Sequence, residues 1–140
     1  MTPTIALRRL TLAATLGAML FAASGCAMLT PKTPEQQVGA RAGEYWKARV
    51  AGDYVKAYSF ATPAYRKVRT AKAYQLQFGA GAAIEQSEVH KVVCAPQRCE
   101  VQMKLSVLPF LVGVKIPPID TYVDEIWLLE DGQWWRFQDL

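Results

Sequence analysis

Val92-Val93-Cys94-Ala95-Pro96-Gln97-Arg98-Cys99-Glu100-Val101 is the stretch on which the fold turns. Two alternating apolar runs meet at the turn-like tetrapeptide Ala95-Pro96-Gln97-Arg98, and a cysteine stands on each side of it. This predicts an antiparallel hairpin with Cys94 opposite Cys99 at its mouth. In an oxidising compartment the two thiols form a disulfide. A metal or redox pair fits poorly, because four residues separate the thiols and the chain has only one histidine; no metal and no cofactor is expected.

Outward from the turn the apolar period stays near two. Ile84, Glu88, His90, Val92 and Cys94 share one face of a first strand, and Cys99, Val101, Met103, Leu105 and Val107 one face of a second. Counting back from the cysteines sets Val92 against Val101, His90 against Met103 and Glu88 against Leu105. A second hairpin closes the chain, since Asp131-Gly132 is the dipeptide favoured in two-residue type I′ turns. Pairing Glu130 with Gln133 opposes Leu128 to Trp135 and Ile126 to Phe137, which reads as the inner face. Trp127, Leu129, Trp134 and Arg136 then point the other way and need cover. Between the hairpins, residues 108–119 are too apolar for a solvent loop. They read either as a continued strand with a bulge or as an apolar lip for a partner, a ligand or a membrane, with Phe110, Leu111, Val112 and Ile116 as its contact residues. Pro109, Pro117 and Pro118 cannot donate ladder hydrogen bonds, which suits an edge.

Upstream of the strands the apolar spacing is helical. Thr33-Pro34-Glu35-Gln36 combines an N-cap threonine, a proline at the first helical position and a glutamine at the third. Val38, Arg41, Ala42, Tyr45, Trp46, Arg49 and Val50 continue at three-to-four spacing, with Tyr45 and Trp46 as the bulky buried members, until Gly52 stops the helix. Asp53 caps a second helix over residues 54–60. Thr62-Pro63 starts a third running toward Phe78, with Thr70 a point where it can break. Arg66, Lys67, Arg69 and Lys72 read as a solvated face of that helix. Helices followed by antiparallel strands give an α+β domain, with three helices packed on a curved antiparallel sheet of about four strands. The motifs Tyr45-Trp46-Lys47-Ala48-Arg49, Gly52-Asp53-Tyr54, Ala57-Tyr58-Ser59-Phe60, Thr62-Pro63 with Arg66, and Asp131-Gly132-Gln133-Trp134-Trp135 resemble the nuclear-transport-factor-2-like (NTF2-like) superfamily over residues 34–140. The resemblance implies a cystatin-like α+β cone whose helices and concave sheet enclose a pocket. It implies a shape and no particular activity.

The N-terminus carries an address. Arg8 and Arg9 precede an apolar run over residues 10–23, which is shorter than the ~20 residues of a spanning helix. The run ends in Ala23-Ser24-Gly25-Cys26, which resembles the bacterial lipobox, with Ala23 in the place usually held by leucine. The resemblance implies a signal peptide over residues 1–25, cleavage before Cys26, and a diacylglycerol and a further acyl chain such as palmitate on that residue. Ala27 implies export to the outer membrane rather than retention in the inner one. Residues 26–33 then form a lipidated tether, and residues 34–140 a single domain. The competing reading is ordinary secretion with Cys26 left as an odd thiol. The chain carries 16 basic and 12 acidic side chains, but Arg8 and Arg9 leave with the signal, and the scattered remainder argues against nucleic acid as a partner.

Candidate pocket residues follow from parity. His90 is the one imidazole and counts as inward-facing, where a neutral-pH acid or base is useful. Asp124 shares the parity of Ile126, and Glu88 resembles it in position. Tyr45, Tyr54, Tyr58, Tyr65 and Tyr74 read as core aromatics with hydroxyls at a rim, against a ligand cage. The leading expectation is a non-enzymatic lipoprotein on the periplasmic side of the envelope. It would bind a protein partner, a second copy of itself or a small apolar ligand through the concave sheet and the 108–119 lip. The alternatives are a pocket enzyme doing proton-transfer or hydration chemistry with His90 and Asp124, and a structural component of an envelope assembly.

Overall fold

The computed structural model describes residues 31–81, 83–109 and 113–140. The expected signal peptide and lipidation site, and residues 110–112, lie outside them. Four helices precede four strands: α1 (Pro34–Val50), α2 (Tyr54–Ser59), α3 (Pro63–Val68), α4 (Ala71–Phe78), β1 (Ala83–Ala95), β2 (Arg98–Leu108), β3 (Ile119–Glu130) and β4 (Gln133–Arg136).

Each helix begins where a short polar side chain can cap it. In α1 the Thr33 hydroxyl accepts from the Gln36 backbone N–H at 3.3 Å, while the Gln36 side chain accepts from the Thr33 N–H at 3.1 Å. Two orphan donors of the first turn are thereby satisfied. Asp53, Thr62 and Thr70 cap the next three helices by the same side-chain-to-N3 bond. The Thr70 cap divides the expected third helix in two, because Arg69 leaves the helical region at φ −122°, ψ 133°. Between α1 and α2 the chain reverses at Gly52, whose φ of +73° strains any residue with a Cβ.

The strands form one antiparallel sheet in the order β1-β2-β3-β4. Cys94 and Cys99 pair at the first turn and form the disulfide. The expected register holds as far as Val92 with Val101, and then a bulge between Val89 and Lys91 leaves His90 without a partner. Val89 therefore opposes Met103, and Ser87, not Glu88, opposes Leu105. This inserted residue bends the strand and exchanges its faces, and a second shift between Ile84 and Gln86 exchanges them back, so the inward face of β1 runs through Ile84, Val89, Val92 and Cys94. β1 is also an edge strand, and the bulge interrupts the row of free backbone groups that a long flat edge would offer.

The closing hairpin has the expected pairs Glu130 with Gln133 and Leu128 with Trp135. Asp131 and Gly132 both have positive φ, 52° and 75°, as a type I′ turn requires. Its faces are the reverse of the expected ones. Trp127 and Trp134 are buried against the helices, whereas Phe137 is exposed and Ile126, Leu128 and Trp135 are only partly covered. The helices supply the cover that Trp127, Leu129, Trp134 and Arg136 were expected to need.

α1 packs on the sheet from β1 to β3. Gly39 sits within van der Waals reach of the Val89 and Val92 side chains, and Trp46 donates to Glu125 of β3 at 2.9 Å. At its C-terminal end the Arg49 guanidinium lies 5.0 Å from the Phe78 ring of α4. The free edge of β4 is closed by the α2–α3 link. Arg136 donates its N–H to the Phe60 carbonyl at 2.8 Å and accepts from the Thr62 N–H at 3.1 Å.

Candidate functional site

Side chains fill the space between helices and sheet. Tyr45 and Trp46 from α1, Phe60 and Ala61 from the α2–α3 link, Tyr65 from α3 and Tyr74 from α4 meet Val101, Met103, Trp127 and Trp134 from the strands. Tyr45 contacts Trp46 and Phe60 edge-on, and Phe60 contacts Trp127 in the same way. The interior of the cone is therefore an aromatic core.

Two polar clusters are embedded in it. Glu125 has a fully buried side chain, and three N–H groups satisfy it: Trp46 Nε1 at 2.9 Å, Arg136 Nε at 2.8 Å and Trp127 Nε1 at 3.3 Å. Burial alone would lower the Arg136 pKa, but Glu125 and the neighbouring tyrosines outweigh it and raise the value. The Arg136 guanidinium also lies over the Tyr45 ring at 4.6 Å and donates to Gln138. In the second cluster the Tyr45 and Tyr74 hydroxyls share a hydrogen bond of 2.8 Å, and Arg49 Nη1 donates to Tyr45 at 2.9 Å. Burial, reinforced by Tyr45, pushes the Tyr74 pKa well above the ordinary phenol value. Burial also raises that of Tyr65, so both phenols stay neutral at physiological pH; Tyr74 shares its hydrogen bond with Tyr45, whereas the Tyr65 hydroxyl has no partner among the described residues. Such groups are unsuited to abstracting a proton, and the Glu125 oxygens are already engaged by three donors. Glu125, Arg136, Arg49 and the Tyr45–Tyr74 pair were not singled out from the sequence. The signal available was the second apolar face of the last hairpin, where two tryptophans alternate with an acid and a base.

The other sequence candidates lie outside this core. Tyr54 and Tyr58 are partly buried at its margin, and the Tyr58 hydroxyl donates to the Arg69 carbonyl at 2.6 Å. His90, at the bulge, is exposed, with its ring 5.0 Å from that of Tyr122. Asp124 is exposed on the same outer face and accepts from Gln102 Nε2 at 3.0 Å. Glu88 opposes Lys104, which pairs with Asp120 at 2.9 Å. Asp124 and Glu88 line two different hollows on the open side of the sheet, and His90 lines neither of them; His90 and Asp124 have separate partners.

The wide end of the domain carries an apolar groove of about 780 Å³. Ala80, Gly81 and Ala83 form one wall, and Leu108, Pro109, Val114 and Ile116 the other, with Lys115 at the lip. Val114 is 59% exposed, so a large aliphatic side chain faces solvent there, and Ile116 is half-buried. Phe110, Leu111 and Val112 lie outside the described residues. Among the described residues no cluster of histidine, cysteine, aspartate and glutamate is able to hold a metal ion.

Solved structures share this architecture. A SEC-C-motif-containing protein from Rhodopseudomonas palustris superposes with a TM-score of 0.54 at 12% identity, over 76% of each chain. A protein from Streptomyces avermitilis described as a dehydratase of the NTF2-like family superposes with a TM-score of 0.52 at 17% identity, over 76% of this chain and 93% of that one. A third, described as an NTF2-like transpeptidase from Campylobacter jejuni, has a TM-score of 0.48 at 6% identity, over 71% of this chain and 96% of that one. The fold is thus NTF2-like, with helices on a curled four-stranded antiparallel sheet. No family model matches the sequence, and the curated proteins contain no match to it.

Proposed function

We propose that this chain is an envelope lipoprotein, held to a membrane by acyl chains on Cys26, and that its domain works by binding. The occupant is a protein partner or a small apolar ligand seated in the groove between Ala80, Gly81 and Ala83 on one side and Leu108, Pro109, Val114 and Ile116 on the other. One observation carries this reading: side chains fill the cone interior, while an apolar groove stays open at its rim. A concave site with mainly apolar walls and few polar groups is the usual form of a small-ligand site. The Ala23-Ser24-Gly25-Cys26 motif supports the anchor, and Ala27 supports outer-membrane export. Pocket chemistry has less support, because His90 and Asp124 sit on the exposed sheet face with separate partners.

Native mass spectrometry of the full-length protein, extracted from its own membrane in non-ionic detergent, tests this reading. The expected result is an acylated Cys26 and a retained partner or apolar ligand that Val114→Asp releases. An unmodified Cys26 overturns the anchor. Identical spectra from wild type and Val114→Asp overturn the groove.

A further inference from the structure

Away from the groove, three elements bring two arginines to one tryptophan at the β4 edge. Arg41 from α1 and Arg66 from α3 lie with their guanidinium carbons 5.6 and 4.8 Å from the Trp135 ring centre. Arg41 also lies 5.1 Å from the Phe60 ring. The Gln133 amide, turned with its oxygen toward Arg41, accepts from Nη1 and Nη2 at 3.3 and 3.2 Å. Arg66 spends its Nε–H on the Ala61 carbonyl at 3.1 Å.

Neither guanidinium is in contact with a carboxylate: among the described residues, carboxylates pair with Arg98, Lys104 and Arg136, but none reaches Arg41 or Arg66. Arg41 Nε is buried without a hydrogen-bond partner. Partial burial lowers the Arg41 pKa, and Glu44 offsets this only in part. Guanidiniums against an aromatic face use that face and leave in-plane N–H donors free for oxygen. Two such forks beside an indole form a cationic, partly desolvated seat with unused donors, the chemistry that recognises carboxylate and phosphate groups.

We infer that Arg41, Arg66 and Trp135 form an oxyanion-binding site at the β4 edge, taking a carboxylate or phosphate group carried by a ligand. The site shares no residue with the rim groove, so it stands or falls independently of the binding function proposed there.

Trp135 makes the site readable, because Trp46, Trp127 and Trp134 are each no more than 5% exposed, whereas Trp135 is partly open. Collisional quenching of the full-length protein in non-ionic detergent therefore reports chiefly on this indole. With two cations beside it, the ratio of iodide to caesium quenching should exceed that of free N-acetyltryptophanamide about threefold. Sodium phosphate or sodium acetate, titrated at constant ionic strength against chloride, should protect against iodide. Protection by phosphate alone identifies a phosphate site, and protection by acetate alone a carboxylate site. An Arg41→Gln/Arg66→Gln variant should bring the ratio to that of the free indole and abolish protection. A ratio in the wild type no greater than that of the free indole, or no protection by either anion, overturns the inference whether or not the variant folds. Protection that persists in a folded variant also overturns it.

Discussion

Replacing Glu125 by glutamine removes one charge and almost no volume, so the structure sets the expected cost closely. The Glu125 carboxylate accepts from Trp46, Trp127 and Arg136 and has a fully buried side chain. A glutamine oxygen can keep the two bonds at Oε1, from Trp46 and Arg136. Its NH₂ group would then face the Trp127 N–H, donor against donor. Removing one partner of a buried ion pair costs about 3–5 kcal/mol. The orphaned indole lies within that range, since unsatisfied buried donors cost about 1–3 kcal/mol each. Domains of this size carry only about 5–15 kcal/mol in total. Glu125→Gln should therefore lose about a fifth of the stability or more, read as a fall in the urea midpoint at unchanged slope. Glu125→Leu combined with Arg136→Met should recover only the part of the loss due to the unpaired charge, because the Trp46 and Trp127 N–H groups then both lack an acceptor. A Glu125→Gln loss below about 1 kcal/mol, in the range of a surface ion pair, would show that the pair is effectively solvated and the reasoning wrong.

Removing the Tyr65 hydroxyl, which is buried without a hydrogen-bond partner, should be neutral or stabilising in Tyr65→Phe. Tyr74→Phe breaks the bond to Tyr45 and should cost about 1 kcal/mol, so paired urea titrations should separate the two. Burial raises the Tyr74 and Tyr65 pKa values, while unfolded tyrosines ionise near pH ~10. Their contribution is thus whole below that pH and declines as pH rises through it, which thermal melts between pH ~8 and ~11 should show, with a shallower decline in Tyr74→Phe. Cys94→Ser/Cys99→Ser should lose about 2 kcal/mol by the chain-entropy account of a short loop; reductant should then destabilise the wild type but not the variant.

The elements legible in the sequence were those fixed by local chemistry. Thr33, Asp53, Thr62 and Thr70 each offer an oxygen to the backbone three residues on, and each caps a helix. Cys94-Cys99 and Asp131-Gly132 fixed both hairpins by turn geometry alone. Which face of each strand turns inward was less legible, and for two different reasons. In β1 the extra residue at His90 leaves no mark in the alternation, so parity counted from the disulfide fails beyond Lys91. In β3 and β4 both faces are apolar, Ile126, Leu128 and Trp135 against Trp127, Leu129 and Trp134, so the alternation has two solutions. The buried Glu125–Arg136 pair made the correct face look like the wet one. In sequence Arg41 and Arg66 read only as helix-face residues, and Arg66 is in fact half-buried against Trp135; their meeting was illegible because only the fold brings α1 and α3 to the same edge of β4.

The two edges of the sheet are unlike, and this bears on how the domain stays a single molecule. The β4 edge is occupied, because Phe60 and Thr62 bond to both backbone groups of Arg136. The β1 edge is open, but its register shifts twice, between Ile84 and Gln86 and between Val89 and Lys91. A second copy adding itself strand to strand would find a regular stretch of only a few residues on either side of His90. Edge-to-edge growth into a continuous sheet is therefore discouraged on both sides of the domain, by cover at one and by irregularity at the other.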